Sequence, residues 1–245
     1  MVLLKNGLTH KTHLTMFIGH FGLGMGAKVL KPGISLGLLF TAAQFIDLLW
    51  PTFLLLNLER VRISPGITKV NPLDFVHYPF SHSLLMAVVW GVLLAGVYRL
   101  FRKDSGGALL LGLLVVSHWL LDLIVHRPDL PLLPAGGAYV GLGLWDSVVG
   151  TLLAEGLLFV GGFWMYLTKT TARNRAGSYG LWALILLLAV IQAGNMAGPP
   201  PANTNDIAWG AQLQWLLVLL AFWVDSNRAV KPIAGVRPGV QKVKH

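Results

Sequence analysis

The sequence predicts an all-α, polytopic membrane helix bundle forming one domain over residues 1–245. Three observations carry that prediction. Hydrophobic residues make up 55% of the chain and charged residues only 12%, against roughly 25% charged in a soluble domain. The apolar residues gather into about seven runs, most of them near the ~20 residues that a helix needs to cross a bilayer. Proline, glycine and basic residues collect between those runs, as in the loops of membrane proteins. Cysteine is absent, so disulfides and thiolate ligands are excluded, and a metal site would have to be built from His, Asp and Glu. The net charge of +9 fits Lys and Arg anchoring one side of a membrane better than it fits a nucleic-acid surface.

In chain order, the run 14–27 is short and glycine-rich (Gly19, Gly22, Gly24, Gly26), so it either packs closely against other helices or only dips into the bilayer. The runs 34–57, 83–100, 107–125, 139–167, 179–196 and 208–224 are long enough to span, which makes six or seven crossings. The loop 58–81 is long for a helix hairpin and holds Pro65, Gly66, Pro72 and Pro79, which predicts an ordered cap or lid. The loop 198–206, with Pro199, Pro200 and Pro201, reads as a plain turn. From residue 228 to 245 the chain is basic with no acid, and a disordered tail lying on anionic headgroups is expected. With alternating helix directions, 13 of the 19 Lys and Arg fall on one side, which predicts a cytoplasmic C-terminus.

The polar residues inside the runs point to chemistry. His118, Asp122 and His126 are spaced four apart, which stacks them on one helix face. An Asp at the centre of a membrane helix costs roughly 2.5–3.5 kcal/mol, so it needs a partner. A divalent ion suits this pair of residue types, and a plain His–Asp hydrogen bond is the alternative. Asp47, Asp146 and Glu155 are the other acids within apolar runs. Alternating directions bring Asp47, Asp122, Asp146, His77 and His82 to one depth near the outer side, with His20 and Glu155 nearer mid-membrane. Plainer readings stand beside these: His82 as a helix-start residue after a Ser81 cap, His77 as a loop residue, His20 as a core histidine, Glu155 as a structural partner, and Asp146 and Asp47 as hydrogen-bonding groups. Asp74, Asp129, Asp206 and Asp225 read as solvated.

Taken in order, His20, Asp47, the block from His77 to His82-Ser83, and Ser117-His118 with Asp122 resemble the membrane-bound metal-dependent hydrolases of the inner membrane, a family grouped with zinc-dependent phospholipase C and single-strand nucleases. The match runs from Met16 to about Pro134 and extends loosely through Asp146 and Glu155. It departs from the family where Leu48 and Leu49 follow Asp47, and where Tyr78 stands in place of an Arg. The resemblance implies an integral protein of a prokaryotic inner membrane, with one or two zinc ions in a phosphoesterase-like site. His and carboxylate ligands suit manganese or iron as well.

The expectation is therefore a metal-dependent hydrolase acting on a membrane lipid or amphiphile at the outer interface. His82, His118, Asp122, Asp47 and His20 would hold metal. His77, His126, Glu155 and Asp146 would serve in proton transfer or in orienting ligands. Arg60, Arg62, Arg127, Ser117 and Ser83 would meet the substrate. A ceramidase-like zinc amidase is a second enzyme reading. A proton- or cation-coupled permease is a third, weakened by the absence of an internal repeat.

Overall fold

The computed structural model describes residues 18–232. It is an all-α membrane bundle, with five helices long and apolar enough to cross a bilayer and a sixth crossing if one bent pair counts as a span. In order, the helices are α1 (Ile18–Ala27), α2 (Leu36–Ala43), α3 (Phe45–Leu55), α4 (Pro79–His82), α5 (Leu84–Arg102), α6 (Ser105–Val125), α7 (Val148–Lys169), α8 (Arg175–Ala197), α9 (Thr204–Gln212) and α10 (Gln214–Ser226). Their starts follow the sequence closely. Ser35, Ser83, Asp104, Ser147, Asn174 and Asn203 each accept a backbone N–H from the first turn of the helix that follows, which meets a donor with no partner inside the helix.

The expected second crossing is broken. At Gln44 the chain turns by 59° between α2 and α3; the Gln44 N–H still serves the Phe40 and Ala42 carbonyls, while the Ala43 carbonyl is left for another donor. The last crossing is different: α9 and α10 meet at Leu213, which keeps right-handed helical backbone, and together they form one candidate span over Thr204–Ser226. The bent pair lies along this last crossing, α2 against α10 and α3 against α9.

α1 is buried over the residues described. It lies along α7, where Gly22 and Gly162 meet so closely that a Cβ on Gly162 would sit 1.8 Å from the Gly22 carbonyl oxygen. One apolar core joins α1, α2, α7, α8 and α10 through Phe21, Phe40, Phe159, Leu184 and Val218. A second joins α2, α3, α5 and α6 through Leu39, Ile46, Ala87, Leu111 and Trp119.

The loop 58–81 is the ordered cap that its prolines predict. It forms an antiparallel hairpin, β1 (Arg60–Ile63) with β2 (Leu73–His77), before the single turn of α4. Two expectations need correction here. The run expected at 139–167 becomes a helix only at Val148. Before it lie a short hairpin, β3 (Leu130–Pro131) with β4 (Tyr139–Val140), and a 3₁₀ turn over Leu144–Asp146. Gly143 there adopts φ 73°, and a Cβ on Gly141 would strike the Arg127 carbonyl, so these glycines serve turns rather than a helix. The tail is not free from residue 228: β6 (Arg228–Val230) pairs with β5 (Thr170–Ala172), and Arg228 is buried against Thr170 and the Gly177 carbonyl. The rest of the expected tail, 233–245, and the start of the first run, 14–17, lie outside the described residues.

Charged groups sort to the two ends of the bundle. Lys28 pairs with Asp225 at 2.7 Å and Lys31 with Asp104 at 3.1 Å at one end. Arg62 and Arg127 both reach Asp74 at the other.

Candidate metal centre

His20 from α1, Asp47 from α3, His82 from α4, and His118 with Asp122 from α6 converge in one buried cluster. His20 Nε2 lies 3.3 Å from Asp122 Oδ1, and His82 Nε2 lies 3.2 Å from Asp47 Oδ1. His118 Nε2 stands 3.4 Å from Asp122 Oδ2 and 3.6 Å from Asp47 Oδ2. His82 Nε2 is also 3.7 Å from Asp122 Oδ2. The rings of His20 and His118 stack with centroids 3.6 Å apart. Two sets of three ligand atoms lie within 4.8 Å of one another, His20–His118–Asp122 and Asp47–His82–His118.

The hydrogen bonds around the cluster decide which nitrogens carry protons. His118 Nδ1 lies 2.7 Å from the Ala43 carbonyl, which the bend at Gln44 leaves without a helical donor. A carbonyl only accepts, so Nδ1 is the protonated nitrogen, and in neutral His118 the Nε2 lone pair faces the carboxylates. His82 is fixed through Ser81. The Ser81 hydroxyl donates to Glu59 Oε2 at 2.6 Å, so it accepts from His82 Nδ1 at 2.7 Å. His82 Nε2 then also presents a lone pair, to Asp47 and Asp122. Trp119 Nε1 donates to the His82 carbonyl at 2.9 Å and fixes that turn.

Lone pairs on two imidazoles therefore meet two carboxylates in a buried space. His20 Nε2, His118 Nε2 and Asp122 Oδ2 have no hydrogen-bond partner. Such an arrangement is unfavourable without a cation among the groups. The spacing suits one. With Zn–N and Zn–O bonds of about 2.0–2.2 Å, the ligand atoms of a tetrahedral zinc stand roughly 3.3 Å apart, close to the separations found here. The residues present fit a divalent ion. His118 has a single free lone pair and belongs to both sets, so in a two-ion arrangement only one ion takes it.

Glu59, absent from the sequence reading, lies behind His82. It is buried and accepts from the backbone N–H groups of Phe80 and Ser81 at 2.8 Å each, besides the Ser81 hydroxyl. Burial pushes its carboxyl above the usual range, while those three donors pull the other way. Its only sequence signal is an acid at the start of the cap loop.

The remaining sequence candidates separate. His126 ends α6 and leaves the stack: its Nδ1 lies 3.0 Å from Asp129 Oδ1. Asp129 is therefore not the solvated residue expected. Arg127 Nε donates to its Oδ2 at 2.8 Å, and the Tyr78 hydroxyl donates to its carbonyl at 3.0 Å. Burial and the neighbouring Asp129 charge push the Tyr78 phenol well above its ordinary range, so it stays a donor. Asp225, also expected to be solvated, pairs with Lys28 and Tyr166. Glu155 accepts from the Ile18 backbone N–H and so anchors the start of the helix that carries His20. His77 and Asp146 are exposed and outside the cluster, His77 at the end of β2 and Asp146 in the 3₁₀ turn that sends Trp145 inward instead. Ser117 bonds its own helix at Leu114. Ser83, rather than Ser81, is the cap of α5, and its hydroxyl donates to the Pro79 carbonyl. Arg60, Arg62 and Arg127 are absent from the cavity walls, and Arg62 and Arg127 are engaged by Asp74.

A cavity of about 660 Å³ opens on the cluster. Asp47, His82, Asp122 and His126 line its polar end, and Trp50, Phe75 and Trp145 stand around them. The loop after α8, expected to be a plain turn, contributes Pro199, Pro200 and Pro201 to the wall.

Neither a curated protein nor a solved structure matches the chain. A family model described as YdjM inner membrane protein matches residues 8–197, a stretch that includes all five residues of the cluster. With apolar helices of spanning length and that match over most of its length, the chain belongs to the YdjM inner membrane protein family.

Proposed function

We propose that this inner-membrane protein is a metal-dependent hydrolase that cleaves an ester, a phosphoester above all, in an amphiphilic substrate. One observation carries the reading: His82 and His118 both have Nδ1 committed to an acceptor, so in the neutral rings their Nε2 lone pairs converge with Asp47 and Asp122 at separations that a divalent ion bridges. His20, His118 and Asp122 would hold one divalent ion, and Asp47 and His82 complete the site or hold a second. A zinc ion bound there supplies Lewis acidity and brings the pKa of water near 7.

The chain's own groups supply proton handling. Asp129 holds the Nδ1 proton of His126, which leaves Nε2 to take a proton from water and return it to the leaving oxygen. Tyr78 and Arg127 hold Asp129 in place. The surrounding Trp and Phe rings keep the polar end of the cavity dry, which strengthens each of these interactions. In the orientation that places the Lys- and Arg-rich end in the cytoplasm, the cluster and its hairpin cap face the outer leaflet.

Elemental analysis of the purified protein, beside a His118→Ala, Asp122→Ala double variant, tests the reading. Stoichiometric zinc, manganese or iron that vanishes in the folded variant is the expected result. No metal in either sinks it. One observation favours a permease as the second reading: the helix pair broken at Gln44 supplies Asp47 and Trp50 to the cavity wall, as broken helices do in transporters. Flux into liposomes lost in Asp122→Asn, without hydrolysis of any substrate, would favour it.

A further inference from the structure

The far half of the cavity is walled by α8, α9 and α10. Leu187, Ile191 and Gly194 of α8 face it, as do Ile207, Gly210 and Leu217 across the gap. Leu213 and Leu216 also line it, yet they are 60% and 59% exposed, so the space runs out to the apolar flank of the bundle, where the bilayer lies.

Two glycines give this half its character. A Cβ placed on Gly194 or Gly210 would meet nothing within 4 Å. Neither has the positive φ that would require glycine, and each sits in a helix, where glycine is less favourable than alanine by about 0.8–1.0 kcal/mol. Gly22 and Gly162 are different, because a side chain there would collide with backbone. Unlike Gly177 and Gly180 of α8, which meet Asn227 and Trp223, Gly194 and Gly210 therefore serve no close packing within the protein. What they leave is width.

The polar end carries unmet donors as well as ligands. Trp50, Asn71 and Trp145 line the cavity and are at most 7% exposed, and Trp50 Nε1, Asn71 Nδ2 and Trp145 Nε1 have no hydrogen-bond partner. Asn71 is not free to turn, since its Oδ1 accepts from the Leu73 N–H at 2.9 Å. Acceptor-rich chemistry suits that end; the other, whose polar side chains are Asn195, Asp206 and Gln214 among otherwise mostly apolar residues, suits hydrocarbon.

We propose that the space between α8 and α9–α10 is an acyl-chain site, entered sideways from the bilayer, which holds one hydrocarbon chain of an amphiphile whose polar, acceptor-bearing head lies at the His–Asp cluster. The proposal deepens the hydrolase reading and rests on it only for what happens at the head. Burial of each methylene is worth about fourfold in affinity, so chain length dominates recognition.

The chain has no cysteine, so Gly194→Cys and Gly210→Cys each create a unique thiol at the wall. Gly161→Cys, on the exposed side of α7 where a Cβ also meets nothing, is the control. Full-length protein in digitonin, which has no flexible alkyl chain, is labelled with N-ethylmaleimide in the presence of dodecyl phosphate or butyl phosphate. Dodecyl phosphate is expected to slow labelling at both wall positions by roughly tenfold or more, butyl phosphate hardly at all, and the control not at all. A monodisperse Gly194→Leu, Gly210→Leu variant, with the space filled, is expected to lose discrimination between the two phosphates in binding. Equal labelling with both phosphates, or equal protection of the control, overturns the proposal. Metal content is measured on the same samples: protection without metal sinks the hydrolase reading alone, and metal without protection sinks the acyl-chain site alone.

Discussion

His118 donates through Nδ1 to the Ala43 carbonyl at 2.7 Å, and that carbonyl is available because the helix turns by 59° at the next residue. The bend in one crossing thus sets the direction of an imidazole on another. Helical geometry at Gln44 would tie up the carbonyl and leave His118 free to rotate. The break belongs to the site.

Metal removal is expected to destabilise the protein. Without an ion, lone pairs and carboxylates face each other in a buried cluster. Free zinc at 100 times its Kd adds about 2.7 kcal/mol to the stability of a native state that alone binds it. Thermal unfolding in detergent, with chelator and then with zinc restored, reads this as a fall and recovery of Tm. An unchanged Tm would count against the ion.

Glu59→Gln tests the proton assignment at His82. A glutamine amide donates to Ser81, whose hydroxyl proton then turns to His82 Nδ1 and moves the ring proton to Nε2. The ligand lone pair disappears while the number of hydrogen bonds stays the same. Zinc affinity is expected to drop about 10–100-fold, as for other changes behind a ligand, with little change in Tm. Competitive zinc titration measures it, and wild-type affinity would remove Glu59 from this role.

Asp129→Asn separates proton handling from metal binding. His126 keeps a neighbour but loses the carboxylate that fixes its Nδ1 proton. We expect kcat to fall by about 10²-fold or more, with KM and metal content unchanged. An equal loss in kcat and in metal content would make Asp129 merely structural.

The five cluster residues were legible because each is a polar group inside, or at the edge of, an apolar run, where a charge needs a reason. Their helices could be placed from hydropathy, and opposite directions brought them to one depth. Glu59 and Asp129 lie in loops, where acids are ordinary, so nothing in the pattern separates them from solvated neighbours such as Asp206. His77 and Asp146 were overread for the reverse reason: each stands beside a residue that does face inward, Tyr78 and Trp145, and a single step along a strand or tight turn reverses the side chain. The run 139–147 is apolar enough for a helix, but its glycines serve the turns at Gly141 and Gly143.

Gly22→Ala is expected to overpack the α1–α7 crossing, since a Cβ there lies 2.4 Å from the Leu158 carbonyl oxygen. Overpacking of this kind costs about 1–3 kcal/mol. Because α1 carries His20, zinc affinity should fall together with Tm, whereas Gly161→Ala should change neither. Calorimetry with metal analysis on both variants decides it.

Lys28→Met removes one partner of a buried ion pair and strands Asp225, which then keeps only Tyr166. Breaking such a pair costs about 3–5 kcal/mol, against roughly 0–1 kcal/mol for an exposed pair such as Lys31–Asp104. Equal shifts in Tm for Lys28→Met and Lys31→Met would contradict the burial of the first.

The dependence of α1 on α7 has a consequence for biosynthesis. Over the residues described, α1 is a buried helix seated along α7. Its support is a helix made more than a hundred residues later. A nascent chain that has reached Val125 already contains all five cluster residues and the α6 residues that His20 meets, yet it lacks α7, along which α1 lies. Seating of α1 is therefore completed late in synthesis, and a ribosome that stalls before Val148 leaves a product that has its ligands but not the helix that backs the one carrying His20.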